Sequence, residues 1–358
     1  MLELILSYAL RDIGNGLRAV VEPVFIQSFS PIYVVGLIMG FSRLLSILSP
    51  FFVPHIAKKL KPGKAAKLGA FLWGFSLILA SYIRNPLAYF WFRLLLMFGS
   101  LLNFPILDSI VQEILKDSDR KGLLFGIIGA VSSIAGAIGS FTASALVTGF
   151  SHAEILRISG FLEILSAFFI PEISFRVEGA LHLFSPTILR KRNVAKVFGM
   201  IFAKHFFWGA RDLIYPIFLK SIGKEMLTGI IFGASGLLAF LVSPVGGLIS
   251  DRIGPKTALS IALLGMGICG IAIAHFPALI LPLSLIYVFF EALSGPPAGS
   301  IFAEELKSEE RALMNATKTS IRTVAFSLSS ILAGFLYQLL GFRAMGIFAV
   351  FHFIACLL

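Results

Sequence analysis

The chain has 358 residues, 57% of them hydrophobic and only 14% charged, with a mean hydropathy of +0.92. Soluble domains carry about a quarter charged residues, so the composition excludes one and indicates a polytopic membrane protein. The net charge of +11 is not a nucleic-acid footprint, because most of the surplus falls in short loops between apolar runs, as membrane topology requires.

A spanning helix needs about 20 mostly apolar residues. Punctuation by Pro, Gly and charge predicts twelve, near 8–29, 32–56, 65–83, 87–115, 122–149 and 153–171, then 195–221, 226–250, 257–275, 279–303, 312–339 and 341–358. Glu3 and the Arg11-Asp12 pair interrupt the first apolar run, and no basic segment precedes it. It is therefore no cleavable signal, and the first helix is expected to stay in the mature protein. Cys269 and Cys356 lie in apolar runs and read as small core residues.

Lysines and arginines gather after span 2 (Lys58, Lys59, Lys61, Lys64, Lys67), after span 4 (Lys116, Arg120, Lys121) and after span 8 (Arg252, Lys256). They gather also in the central connection (Arg176, Arg190, Lys191, Arg192, Lys196). These loops share one side, so the positive-inside rule places both termini in the cytoplasm of a cell-membrane protein. The polar stretch 174–194 divides the chain into an N-terminal bundle, 1–173, and a C-terminal bundle, 195–358.

The two halves repeat each other. Gly16-x-Arg18-x4-Pro23-x-Phe25-x2-Ser28 recurs 193 residues later as Gly209-x-Arg211-x4-Pro216-x-Phe218-x2-Ser221. In the same register, Gly36, Gly40 and Ser42 fall on Gly229, Gly233 and Ser235. A repeat of half the chain means two copies of one folding unit, and in a membrane protein the working site lies between two such bundles.

On span 1, Arg11, Asn15, Arg18 and Glu22 share a helical face, and the equivalent residues of span 7 are Lys204, Trp208, Arg211 and Tyr215. A charge at the bilayer centre costs at least about 2.5–3.5 kcal/mol, so such residues face the bundle interior or a wet cavity. Three readings stay open, one of them a general role in gating. Arg18 and Arg211, with Arg93 of span 4, bind an anion, since a guanidinium forks onto phosphate or carboxylate oxygens. Alternatively Glu22, one turn on, neutralises Arg18 in a structural salt bridge. Asp212 is next to Arg211 but on a different azimuth, and is not expected to pair with it without help.

Asp12, Glu22, Asp212, Glu291 and His205 are the candidates for proton coupling, each with a fixed pairing role as the alternative. Glu163 and Arg43 are expected off the cavity. No metal-ligand spacing, phosphate loop or nucleophile–base arrangement occurs, so no enzyme activity, cofactor or metal is expected.

Gly247-x3-Asp251-Arg252-x-Gly254-x-Lys256, between spans 8 and 9, resembles the signature loop of the major facilitator superfamily. That resemblance implies a twelve-helix all-α fold of two pseudo-symmetric six-helix bundles, with an acidic loop residue that locks one conformation. The first-half counterpart has Ala57 in place of the acid. A plain basic turn is the other reading of both loops. Glu113-x6-Arg120 and Glu304-x6-Arg311 resemble the acidic–basic clamp of the superfamily's sugar porters; charged helix ends in water are the alternative. The paired arginines resemble those of organophosphate exchangers.

Together these imply a monomeric secondary carrier of a small, acidic solute, coupled to protons or working by exchange. A multidrug–proton efflux carrier and a non-transporting sensor on the same fold are the alternatives. The chain has 36 Phe, which suits the first, and no long tail, which tells against the second.

Overall fold

The computed structural model describes residues 2–115, 121–173, 191–305 and 310–357. Among them the chain is helical, with no strand. In lipid each backbone N–H and C=O must find its partner within the segment, and a helix achieves this. The helices are α1 (Leu2–Gln27), α2 (Ile32–Leu44), α3 (Ser49–Leu60), α4 (Pro62–Ala80), α5 (Pro86–Leu115), α6 (Lys121–Leu146) and α7 (His152–Phe168). The second half holds α8 (Arg192–Ser221), α9 (Met226–Ile253), α10 (Pro255–His275), α11 (Ile280–Glu305), α12 (Glu310–Leu340) and α13 (Ala344–Leu357). A 3-10 turn, Leu45–Leu48, joins α2 to α3, so the described residues form twelve spans. Seven segments are long and apolar enough to cross a membrane on length and composition alone.

Three boundaries depart from expectation. Helix α1 begins at Leu2, six residues early, and α8 begins at Arg192, within the stretch read as linker. Span 2 is broken by its 3-10 turn. Elsewhere the punctuation acts as expected. Proline opens α4, α5 and α10, where its missing N–H costs nothing. Ser151 and Glu154 cap the start of α7 reciprocally.

The chain divides into two compact units. Unit 1 holds Met1–Ser30, Ser42–Leu181 and Leu219–Gly233; unit 2 holds Pro31–Phe41, His182–Phe218 and Ala234–Leu358. Each unit thus takes one short segment from the other sequence half. In unit 2, Gly36 lies against the backbone of Ser330, Gly40 against Ser327 and Ile331, and Tyr33 stacks on Phe335 at 5.6 Å. In unit 1, Gly229 lies against Ser140 and Ser144, Gly233 lies against Phe141, and Ser144 Oγ donates to the Met226 carbonyl at 2.6 Å. These are the repeated glycines. Their lack of a side chain lets backbones meet where lipid supplies no hydrophobic drive between helices.

Within unit 1, α1 packs on α6 and α7, and α4 on α5 and α7. Gly16 abuts the backbone of Gly136 and Ser140, and Gly74 abuts that of Gly160. Within unit 2, α10 packs on α11 and α13.

Candidate functional site

In unit 1 the polar centre is built on α1. Arg18 donates to Asn15 Oδ1 at 3.1 Å and lies 3.5 Å from Glu22 Oε2. The one-face reading of Asn15, Arg18 and Glu22 therefore holds. Glu22 is the hub: Arg93 of α5 pairs with its other oxygen, and Tyr89 donates to it at 3.0 Å. The Arg93 Nε donates to Ser42 Oγ at 2.9 Å. Arg11 leaves this group. It forks onto Asp12, with both bonds at 3.0 Å, and stacks on Tyr8 and Phe104. Asp12 also accepts from Ser132 of α6.

In unit 2, Trp208 is flanked by two cations. The Lys204 ammonium stands 4.7 Å and the Arg211 guanidinium 5.3 Å from its ring centroid, within cation–π range. Glu291 of α11 pairs with Lys204 at 3.0 Å and accepts from the Trp208 indole at 2.9 Å. Arg211 bonds Asp212 through Nε and Nη2, at 3.1 and 2.9 Å. This corrects the expectation that Asp212 does not pair with Arg211 without help. Azimuth separates the two Cβ atoms, but the long arginine arm folds back across that gap.

Tyr215 is fully buried, its hydroxyl meets Ser284 Oγ at 3.2 Å, and it lies within the field of Arg211. His205 is buried, with Nδ1 on the Ile201 carbonyl at 2.7 Å and its ring edge-on to Trp208.

Exposure separates the arginines. The side chains of Arg11 and Arg93 are 4% and 6% exposed, whereas Arg18 and Arg211 are each 14% exposed. Arg18 also sits 5.5 Å from the Trp73 ring centroid. Each unit therefore holds a partly exposed arginine near a tryptophan ring and bonded to a carboxylate. This parallel extends beyond the repeated sequence, because Trp73 is on α4 and Trp208 on α8.

Glu163 of α7 was expected off the cavity. It is 1% exposed and sits in the Arg11 group, within the field of Arg11, Arg18 and Asp12. Ser159, Glu163 and Ser166, all buried, share one helical face, a signal the sequence already held.

The stretch 247–256 is not the loop expected. Gly247, Asp251 and Arg252 belong to α9, and Lys256 lies in the first turn of α10. Gly254 alone makes the turn, at φ 84° and ψ 147°. Asp251, Arg252 and Lys256 are exposed. The first-half turn has the same shape around Lys61, at φ 68° and ψ 143°.

Of the clamp residues, Arg120 lies outside the described residues, Arg311 is placed on α12, Glu113 is half-buried and Glu304 is exposed. Glu305, the next residue, accepts from Asn193, and its carbonyl accepts from Lys191 at 2.7 Å.

The sequence model of the Major Facilitator Superfamily matches residues 4–223 and 197–358. No curated protein matches the chain. Solved structures share its fold. A point mutant of the nucleoside transporter NupG has a TM-score of 0.81 at 16% identity, with 99% of this chain and 98% of that one covered. A bacterial homologue of the human lysosomal transporter Spinster, inward-facing and occupied, has 0.78 at 14%, covering 99% and 94%. The D-xylose–proton symporter has 0.77 at 14%, covering 99% and 96%.

Proposed function

The chain belongs to the major facilitator superfamily and is a multi-pass membrane transporter, and from that premise we propose that it carries a small anion or acidic metabolite across the cell membrane. It does so by alternating access, coupled to protons or by exchange, as a monomer with both termini cytoplasmic. The observation that supports the anion is the matched exposure of Arg18 and Arg211, at 14% each, beside buried Arg11 and Arg93.

Arg18 and Arg211 take the substrate's anionic group. Glu22 and Asp212 hold the two guanidiniums in orientation, so the ligand competes for forks already pointed rather than for mobile side chains. Asn15, Trp208 and Tyr215 complete the binding set, Arg93 acts through its pairing with Glu22, and Trp208 lends an aromatic face. Asp12, Glu291 and His205 are the remaining proton-coupling candidates, and a proton symporter among the similar folds gives that coupling a precedent. Asp251, Arg252 and Lys256 at the α9–α10 turn, Glu113 and Glu304 near the ends of α5 and α11, and Arg120 and Arg311 that follow them in sequence, change partners between states.

A ligand-stabilisation screen of the purified protein tests this. Phosphate esters and carboxylates are compared with sugars and cationic dyes, in wild type and in Arg18→Ala/Arg211→Ala. A ligand at about 100 times its Kd adds about 2.7 kcal/mol. The expected result is stabilisation by anions that vanishes in the double variant. Stabilisation by cationic or apolar compounds alone overturns the anion reading and favours drug efflux.

A further inference from the structure

We propose that Glu163 is a proton-binding site of unit 1 and that Arg11 gates it. The inference deepens the proton coupling proposed above by naming a group outside the earlier candidates. Glu163 is 1% exposed, and neither carboxyl oxygen has a hydrogen-bond partner among the described residues. A bare carboxylate cannot persist in such a place; it is neutral, or a cation and donors meet it. In the membrane interior the demand is stricter.

The geometry supplies a nearby cation, Arg11, held aside. Helices α1 and α7 pack together, with Ser159 Oγ on the Gly14 carbonyl at 2.7 Å. One turn along each helix from that contact brings Glu163 level with Arg11. Arg11 spends Nε and Nη2 on Asp12, while its buried Nη1 has no hydrogen-bond partner.

The remaining charged groups are accounted for. On α1, Asp12 and Arg18 also act on Glu163. Tyr8 stacks under Arg11 and donates to Asp108 of α5 at 2.9 Å. On α4, the other helix packed on α7, the only charges are Lys64 and Lys67 near its start, and Lys67 is bound to Glu172. On α7 itself His152, Glu154 and Arg157 lie towards its opposite end.

Two states follow. In one, Glu163 carries the proton and Arg11 forks onto Asp12. In the other, the Glu163 O–H bond breaks, the proton leaves to water, and Arg11 turns its guanidinium onto the new carboxylate. Asp12 then keeps Ser132 as a donor. Charge inside unit 1 changes by the one proton released.

Infrared pH titration of the protein in phosphatidylcholine vesicles reads this without any substrate. The expected result is a carbonyl-stretch band of a protonated acid that responds to deuterium exchange and is missing in Glu163→Gln. Asp12→Asn frees Arg11 for Glu163 and moves the band's disappearance to lower pH; Arg11→Gln moves it to higher pH, each by about one unit or more. A band that survives Glu163→Gln, or that ignores both neighbouring variants, overturns the proposal. Flux indifferent to a pH gradient would instead overturn the coupling in the proposed function, so the two failures are separable.

Discussion

Unit 1 places the acid of its main ion pair on α1 (Glu22) and the base on α5 (Arg93); unit 2 places the base on α8 (Lys204) and the acid on α11 (Glu291). The two units repeat one backbone pattern, down to the glycines that seat each helix. Beyond the repeated Arg18/Arg211 and Arg11/Lys204 positions, their charges differ. Glu22 is shut in at 4% exposure with two arginines and a tyrosine on it, whereas the Lys204 partner of Glu291 is 22% exposed. Duplication conserves close packing because a backbone contact tolerates no substitute. Charges are free to diverge once each unit neutralises its own.

The largest expected effect comes from breaking the buried side of this contrast. Glu22→Gln leaves Arg93 without its carboxylate and should cost about 3–5 kcal/mol, read as a fall in melting temperature in detergent. Glu291→Gln should cost less, about 1–3 kcal/mol, since Lys204 can turn to water. Equal losses would break the comparison.

The shared part of the repeat should respond symmetrically. Gly36→Leu and Gly229→Leu each force a side chain into a serine backbone on the facing helix. Each should lose about 3 kcal/mol, and the same melting assay checks that the two losses match.

The two turns sharpen the contrast further. Lys61 and Gly254 adopt nearly the same positive-φ geometry, which is essentially reserved for glycine. Lys61→Gly should therefore stabilise by about 1 kcal/mol, and Gly254→Lys should destabilise by about as much; chemical denaturation resolves both.

The smallest effect is a pH dependence confined to unit 1. Lys67 donates to Glu172 at 3.1 Å, and that bond, with the lysine's charge, holds the exposed Glu172 carboxyl below its usual range. A depressed folded-state value contributes stability above the unfolded carboxylate range and loses it as pH falls through the folded one. Glu172→Gln should flatten the acid limb of the melting curve slightly, and less so in high salt.

Much of this was legible beforehand. Proline at 62, 86 and 255 and glycine at 254 mark helix ends by their own stereochemistry, so most boundaries fell within a few residues. The 3-10 turn at Leu45–Leu48 was signalled by Pro50, in the first turn of α3, but the unbroken apolar run across it reads as one span. The matched register of Gly36 and Gly229 announced close contacts, but their partners on α12 and α6 depend on tertiary packing. Helical periodicity correctly gathered Asn15, Arg18 and Glu22. It failed for Asp212, because adjacent residues meet through side-chain reach rather than azimuth. Glu163 was legible as an embedded charge, and its serine-flanked face follows from the same rule, but its neighbourhood with Arg11 depends on how α1 and α7 pack.

The central claim is that Arg18 and Arg211 carry the substrate's negative charge. Proteoliposome flux of whichever anion stabilises the protein, in wild type and in Arg18→Ala/Arg211→Ala, tests it most directly. The account predicts flux that falls to background in a double variant whose melting remains cooperative. Undiminished flux in that variant would contradict it.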